Sequence, residues 1–139
     1  MNTKTLSMIL KLKEWEEELE KQKFAKIISE RQKMQIYIKE LEERLNSGFY
    51  LGPIYNQKEL IFVYDGINYL IEKLREAEEI IKKMDEEIDK QRQIYEQAFK
   101  ERKKIEQLYE RVIDKIKREK EKSEEKLLSD LFITRLGSK

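Results

Sequence analysis

The fold is decided by residues 60–116, LIFVYDGINYLIEKLREAEEIIKKMDEEIDKQRQIYEQAFKERKKIEQLYERVIDKI, in which apolar side chains recur at alternating steps of three and four. One position of this repeat holds Leu60, Ile67, Leu74, Ile81, Ile88, Tyr95, Tyr109 and Ile116; the other holds Val63, Leu70, Ala77, Met84, Ala98, Ile105 and Val112. Gln91 and Arg102 interrupt it. A repeat sustained over about eight heptads is typical of a long helix that packs along a coiled-coil seam. The polar interruptions are expected to set its register.

A single stretch, residues 46–55, predicts a break before this helix. It holds two of the four glycines and the only proline, which are the residues that end helices. Asn56 followed by Glu59 resembles a capping box. Two helices joined by a short loop fold back on one another. The predicted fold is therefore all-α: one antiparallel coiled-coil hairpin domain over residues 1–139, with a helix at about 5–46, a hinge at 47–56 and a longer, overhanging helix at about 57–135.

The first helix has a less regular pattern. Heptad spacing, with Arg31 as an interruption, is kept by Phe24, Ile27, Met34, Ile38, Leu41 and Leu45. Nearer the start, Met8, Leu12, Trp15 and Leu19 follow a phase that does not connect to it by sevens. The prediction is that the two ends of the hairpin wind differently.

The unequal helix lengths predict an overhang. If the chain reverses near Gly52, residue 6 lies opposite residue 98, and everything from Phe99 to about Leu136 lacks a first-helix partner over roughly 57 Å. The apolar seam nevertheless continues into this overhang through Ile105, Tyr109, Val112 and Ile116. After a wholly polar run at 117–126, a second apolar patch contains Leu127, Leu128, Leu131, Phe132 and Ile133. Apolar stripes left in water imply a partner protein.

Composition excludes several classes of function. Charged residues make up 42% of the chain, yet the formal net charge is +1 with both signs interspersed, unlike a nucleic-acid-binding protein. There is no His, no Cys and no phosphate-binding glycine loop, and acidic clusters such as Glu16–Glu18 read as solvated helix faces. The expectation is a non-enzymatic protein without metal or cofactor. Neither a signal peptide nor a membrane-spanning stretch is expected.

Two surfaces stay open to more than one interpretation. The basic clusters at 102–104 and at Lys115, Lys117 and Arg118 are either ordinary solvated helix surface or a site that docks to an acidic ring or pore. The aromatic residues around the hinge either plug the end of the hairpin or form an exposed contact patch; they are Phe49, Tyr50, Tyr55, Phe62, Tyr64 and Tyr69.

Two local matches accompany this architecture. Residues 99–108, FKERKKIEQL, and residues 128–135, LSDLFITR, resemble the second-helix stretch and the closing pattern of the FliJ family, the general chaperones and ATPase stalk proteins of flagellar export. The resemblance covers nearly the whole chain as a short helix, a reversal near one third, and a long helix. Two residues depart from the closing pattern: Ser129 stands where Asp is usual and Phe132 where Ala is usual.

The resemblance implies a role in type III protein export. Family members insert helix ends into the hexameric export ATPase, bind the cytoplasmic domain of the export gate and handle empty export chaperones. They are cytoplasmic and associate with the cytoplasmic face of the inner membrane only through these partners. The residues expected to meet the ATPase are those of the overhang: Ile105, Tyr109, Val112, Ile116, Leu128, Leu131, Phe132 and Arg135. The residues expected to meet the gate are Tyr64, Ile67, Tyr69 and Ile71. The alternatives are a generic coiled-coil spacer and a stalk subunit of a rotary proton or sodium ATPase.

Overall fold

A computed structural model of the chain describes residues 2–47 and 56–137. The described residues form two helices, α1 (Thr3–Ser47) and α2 (Gln57–Gly137). The second helix is the longer, and the two pack against each other, which confirms an all-α helical hairpin. The predicted hinge residues from Gly48 to Tyr55, including three of the six hinge aromatics, lie outside the described residues.

Asparagine side chains cap both helix starts. At α1 the amide N–H of Lys4 donates to Asn2 Oδ1 at 3.1 Å. At α2 the amide N–H of Glu59 donates to Asn56 Oδ1 at 2.8 Å, as the capping pattern predicted. Each cap satisfies one of the amide groups that the first helical turn leaves without an intrahelical acceptor.

The heptad positions of α2 form the face that packs on α1. Every one of them from Val63 to Val112 is buried or half-buried, including the polar Gln91 and Arg102. At the two ends of the repeat, Leu60 and Ile116 are exposed. The predicted seam is therefore confirmed over its central part.

The described residues of Leu19–Tyr95 make up one compact unit. The aromatic rings of Phe24 and Tyr95 stack with centroids 6.3 Å apart, and Arg31 pairs with Asp85. The later α1 residue contacts the earlier α2 residue, so the helices run antiparallel here. The buried residues of this unit are Leu41, Leu70 and Ala77.

The described residues of Met1–Glu18 and Glu96–Lys139 make up a second compact unit. Its buried residue is Leu6, which is 1% exposed. Nearby, the Nζ of Lys13 donates to Glu101 Oε2 at 3.2 Å. The start of α1 therefore packs against α2.

The predicted change of phase in α1 is wrong. The heptad register continues without a break to the start of the helix, and all its positions are buried or half-buried: Leu6, Leu10, Lys13, Glu17, Glu20, Phe24, Ile27, Arg31, Met34, Ile38, Leu41 and Leu45. Met8, Leu12 and Trp15 are exposed instead. Charged side chains occupy the seam positions because polar groups on α2 pair with them there, which a search for apolar residues does not detect.

The predicted start of the overhang is also wrong. In an antiparallel pair of helices, the numbers of two residues that face each other have a nearly constant sum. Reversal at Gly52 predicted a sum of about 104, but the observed α1–α2 contacts give sums between 111 and 119. On this pairing Leu6 lies opposite a residue near 110. Continuously exposed α2 therefore begins at Ile113 and runs to Gly137, a length of about 37 Å at 1.5 Å per residue.

Candidate functional site

The exposed end of α2, residues 113–137, is here called the α2 extension. Every one of its residues is exposed. Its first part is charged, with no apolar residue between Lys117 and Lys126. Its last part carries the tip cluster, a set of large apolar side chains each more than half exposed: Leu127, Leu128, Leu131, Phe132, Ile133 and Leu136. Six such side chains gather on one uncovered helix end, and apolar surfaces of this kind mark contact sites.

Most of the tip cluster does not continue the seam. The four seam positions after Ile116 are polar, namely Glu119, Ser123, Lys126 and Asp130, and of the tip cluster only Ile133 stands in seam register. Leu128, Leu131 and Phe132 instead border a shallow groove with Thr134 and Arg135. At about 100° per residue, this face lies roughly half a turn around the helix from the seam. A partner of the tip therefore approaches α2 from a different side than α1 does.

The residues predicted to contact an ATPase ring fall into two groups. Ile105, Tyr109 and Val112 are half-buried, at positions that α1 reaches through its first turns. They are seam residues, so describing them as left without a first-helix partner was wrong. Ile116 is exposed, and so are the predicted tip residues Leu128, Leu131, Phe132 and Arg135.

The residues predicted to contact an export gate lie near the start of α2. Tyr64, Tyr69 and Ile71 are exposed, whereas Ile67 is a half-buried seam residue. The Nζ of Lys73 lies 5.6 Å from the centre of the Tyr69 ring. The surface is wider than predicted, since the preceding turn adds three more exposed apolar side chains: Leu60, Ile61 and Phe62. Among the described hinge aromatics, exposure favours a contact patch over a plug.

Arg102 is the centre of a polar section of the seam. Its Nε donates to Glu17 Oε2 at 2.6 Å, and its Nη1 donates to Glu106. Hydrogen bonds from Arg102 to Glu17 and then to Glu106 raise the pKa of the guanidinium above its already high value. The basic cluster at 102–104 is thus partly structural, because its first member is committed to the hairpin.

Two further contacts extend this polar section. The amide of Gln91 donates both to the backbone carbonyl of Glu20 at 3.3 Å and to its carboxylate. Hydrogen bonds from Lys13 and from Gln97 lower the pKa of the Glu101 carboxyl. Polar side chains at seam positions fix which residues face one another, at some loss of stability relative to apolar ones.

Sequence reasoning missed one exposed surface on α1. Met8, Leu12 and Trp15 were predicted to follow, with Leu19, a separate phase of the hairpin, but they face away from α2 and are 63%, 51% and 61% exposed. The signal that separates the two faces is charge matching: Glu17 on α1 complements Arg102, the residue that interrupts the α2 repeat.

No helix in the described part of the chain has the length and apolar character needed to cross a membrane. Compared with protein-family models, with curated proteins and with solved structures, the chain matches none.

Proposed function

We propose that this protein is a non-enzymatic stalk and adaptor of the bacterial flagellar type III export apparatus, which inserts the α2 extension into the hexameric export ATPase and links that ring to the export gate. The observation that carries the proposal is the α2 extension itself. It is a single helix, about 10–12 Å wide with its side chains, and it ends in an exposed apolar cluster that α1 does not cover. Resemblance to the FliJ family names the ring.

The two parts of the α2 extension suit different portions of a ring. A tip cluster that enters a pore can bury apolar surface, at about 25 cal/mol for each Å² removed from water. The charged run from Lys117 to Lys126 would then lie in the wetter part of the channel, where rotation or sliding past polar walls costs little. The half-buried seam residues stay with the hairpin and set how far the helix end projects.

The surface near the start of α2 supports a second contact at the other end of that helix. Tyr64 and Ile71 are both exposed, and their spacing of seven residues places them on one side of the helix. Tyr69 is exposed on another side, and large aromatic side chains are enriched in protein interfaces. In the proposal this surface binds the cytoplasmic domain of the export gate. Handling of export chaperones and a peripheral position at the cytoplasmic face of the inner membrane follow from the same partners.

Truncation after Lys122 should abolish stimulation of the export ATPase while leaving the hairpin folded. The described part of the removed segment, residues 123–137, is exposed throughout, so far-ultraviolet circular dichroism and the unfolding midpoint should keep hairpin values. A finer variant, Leu131→Asp, should lose most of the stimulation because it places a charge in the tip cluster. Its control is Ser123→Asp, which adds the same charge at an exposed position of the polar run before the tip cluster and should stimulate as the unaltered protein does.

Full stimulation by the truncated protein would refute insertion of the α2 extension. The generic spacer would then be the better explanation of the hairpin.

Ile71→Asp should weaken binding to the export-gate cytoplasmic domain by at least about tenfold, because burying one large aliphatic side chain contributes roughly 1.5–3 kcal/mol. Ile80→Asp is the matched control: Ile80 is 41% exposed and Ile71 is 40% exposed, but Ile80 lies outside the predicted patch. Calorimetric titration measures both affinities, and circular dichroism checks that both variants stay helical. Equal affinity of the two variants would remove this patch from the proposal.

A further inference from the structure

The first five turns of α1 begin their inner face with the buried Leu6 and half-buried Leu10, but charged residues take the next seam positions and three large apolar side chains face outward. Lys13 and Glu17 occupy seam positions and bond to α2. Met8, Leu12 and Trp15 face solvent. A helix whose only partner is α2 gains nothing from large apolar side chains on its outer face, so the outward residues require an explanation of their own.

The outward residues have the geometry of a second coiled-coil seam. Met8, Leu12, Trp15 and Leu19, here called the outer stripe, follow one another at steps of four, three and four, the spacing of core positions in a coiled coil. Each lies two residues after a position of the inner seam, which is about 200° around an α-helix. A partner helix can therefore pack on the outer stripe without meeting α2.

We propose that the outer stripe is a homodimer interface, in which the same stripe of a second copy of this chain packs against it in parallel. With Leu12 and Leu19 at one core position and Met8 and Trp15 at the other, the flanking positions on one side hold Lys11 and Glu18, and those on the other side hold Glu16 and Lys23.

Charge complementarity selects the second copy and its direction. In a parallel pair, a flanking residue of one helix faces the residue five positions further along the other helix. Lys11 then faces Glu16 of the second copy, and Glu18 faces Lys23, so two-fold symmetry gives four pairs of opposite charge. An antiparallel pair would match only Lys11 with Glu18. Ile9 faces a charged residue in both cases, Lys4 in the parallel pair and Glu16 in the antiparallel pair, so the number of opposite-charge pairs decides. The parallel arrangement is therefore the better match.

The interface is short, so the dimer is expected to be weak and concentration-dependent. Only Met8, Leu12 and Trp15 offer large exposed areas, and Leu19 is half-buried already. This falls below the extent of surface that stable dimers bury. The α2 extension takes no part in it.

Sedimentation velocity over a concentration series tests the dimer, with the single tryptophan as a second readout within the interface. The s-value should rise with concentration, and the fluorescence of Trp15 should shift to the blue as its ring leaves water. Leu12→Asp should raise the concentration for half-dimerisation by at least about tenfold. Ile36→Asp, at an apolar site of α1 outside the stripe that is 61% exposed against 51% for Leu12, should leave it unchanged. A chain that stays monomeric up to its solubility limit, or a dimer indifferent to Leu12→Asp, would overturn the proposal.

Cross-linking tests the direction, because the chain has no cysteine of its own. Met8→Cys should form a disulfide-linked dimer on mild oxidation, since equivalent core residues face each other only in a parallel pair. Ile36→Cys should not. Failure of Met8→Cys to cross-link in a chain that sediments as a dimer would exclude the parallel arrangement. None of these measurements uses the export ATPase, so their outcome is independent of the proposed stalk function.

Discussion

Replacing Leu41 by alanine should lower the free energy of unfolding by about 2–4 kcal/mol, the range for truncating a buried leucine whose surroundings only partly collapse. Leu41 is 3% exposed and belongs to the same compact unit as the buried Leu70 and Ala77. A two-helix seam has few other layers to compensate for the cavity, so the loss is a large part of the stability expected for a chain of this size. Urea unfolding followed by circular dichroism measures it.

Ile36→Ala is the matched control for that variant. Ile36 lies on the same helix and is 61% exposed, so its truncation should change the free energy of unfolding by no more than about 0.5 kcal/mol. Similar losses in the two variants would mean that α1 does not present the Leu41 face to α2.

The Glu17–Arg102 pair should show opposite effects of single and double replacement. Both side chains are 16% exposed, so water screens the pair only partly. Glu17→Leu alone should destabilise the hairpin by about 1–2 kcal/mol, because it leaves Arg102 in the seam with Glu106 as its remaining acceptor. Glu17→Leu combined with Arg102→Leu should be at least as stable as the unaltered protein, since two apolar residues can pack where a partly buried ion pair had to be desolvated.

Asp89→Ala serves as the control for loss of a charge alone. Asp89 lies 3.6 Å from Arg92 in an exposed ion pair on the outside of α2, and exposed pairs contribute little. Its unfolding midpoint should stay close to that of the unaltered protein. If the double replacement proved as destabilised as the single one, the Glu17–Arg102 contact would be supplying net stability rather than register.

The α2 face could be predicted because one pattern covers it from end to end. Between Val63 and Val112 the apolar positions recur without a competing stripe of the same spacing, and the two interruptions, Gln91 and Arg102, keep the phase. Local chemistry predicted the start of the helix equally well, since Asn56 accepts from the Glu59 amide within a single turn. Both inferences depend on residues close together in the chain.

The candidate contact surfaces were predicted correctly at the tip of α2 but not along its seam. Leu128, Leu131 and Phe132 are exposed, as their position after a charged run indicated. Tyr109 and Val112 are not left uncovered, because the extent of the overhang depends on which residue of α1 faces which residue of α2. Because reversal was assumed at Gly52, the predicted α2 partner of each α1 residue lay two to four helical turns from the one that the structure shows.

By itself, the sequence determined that this chain is two helices separated by one break, that α2 carries a continuous seam, and that a polar run separates its tip cluster from that seam. Only the tertiary structure decided which of two stripes on the start of α1 meets α2. Leu6 and Met8 begin stripes with the same spacing, and the richer apolar stripe is the one that faces solvent. The choice depends on Glu17 and Lys13 finding Arg102 and Glu101 across the seam, a match between residues far apart in the chain that no local pattern contains.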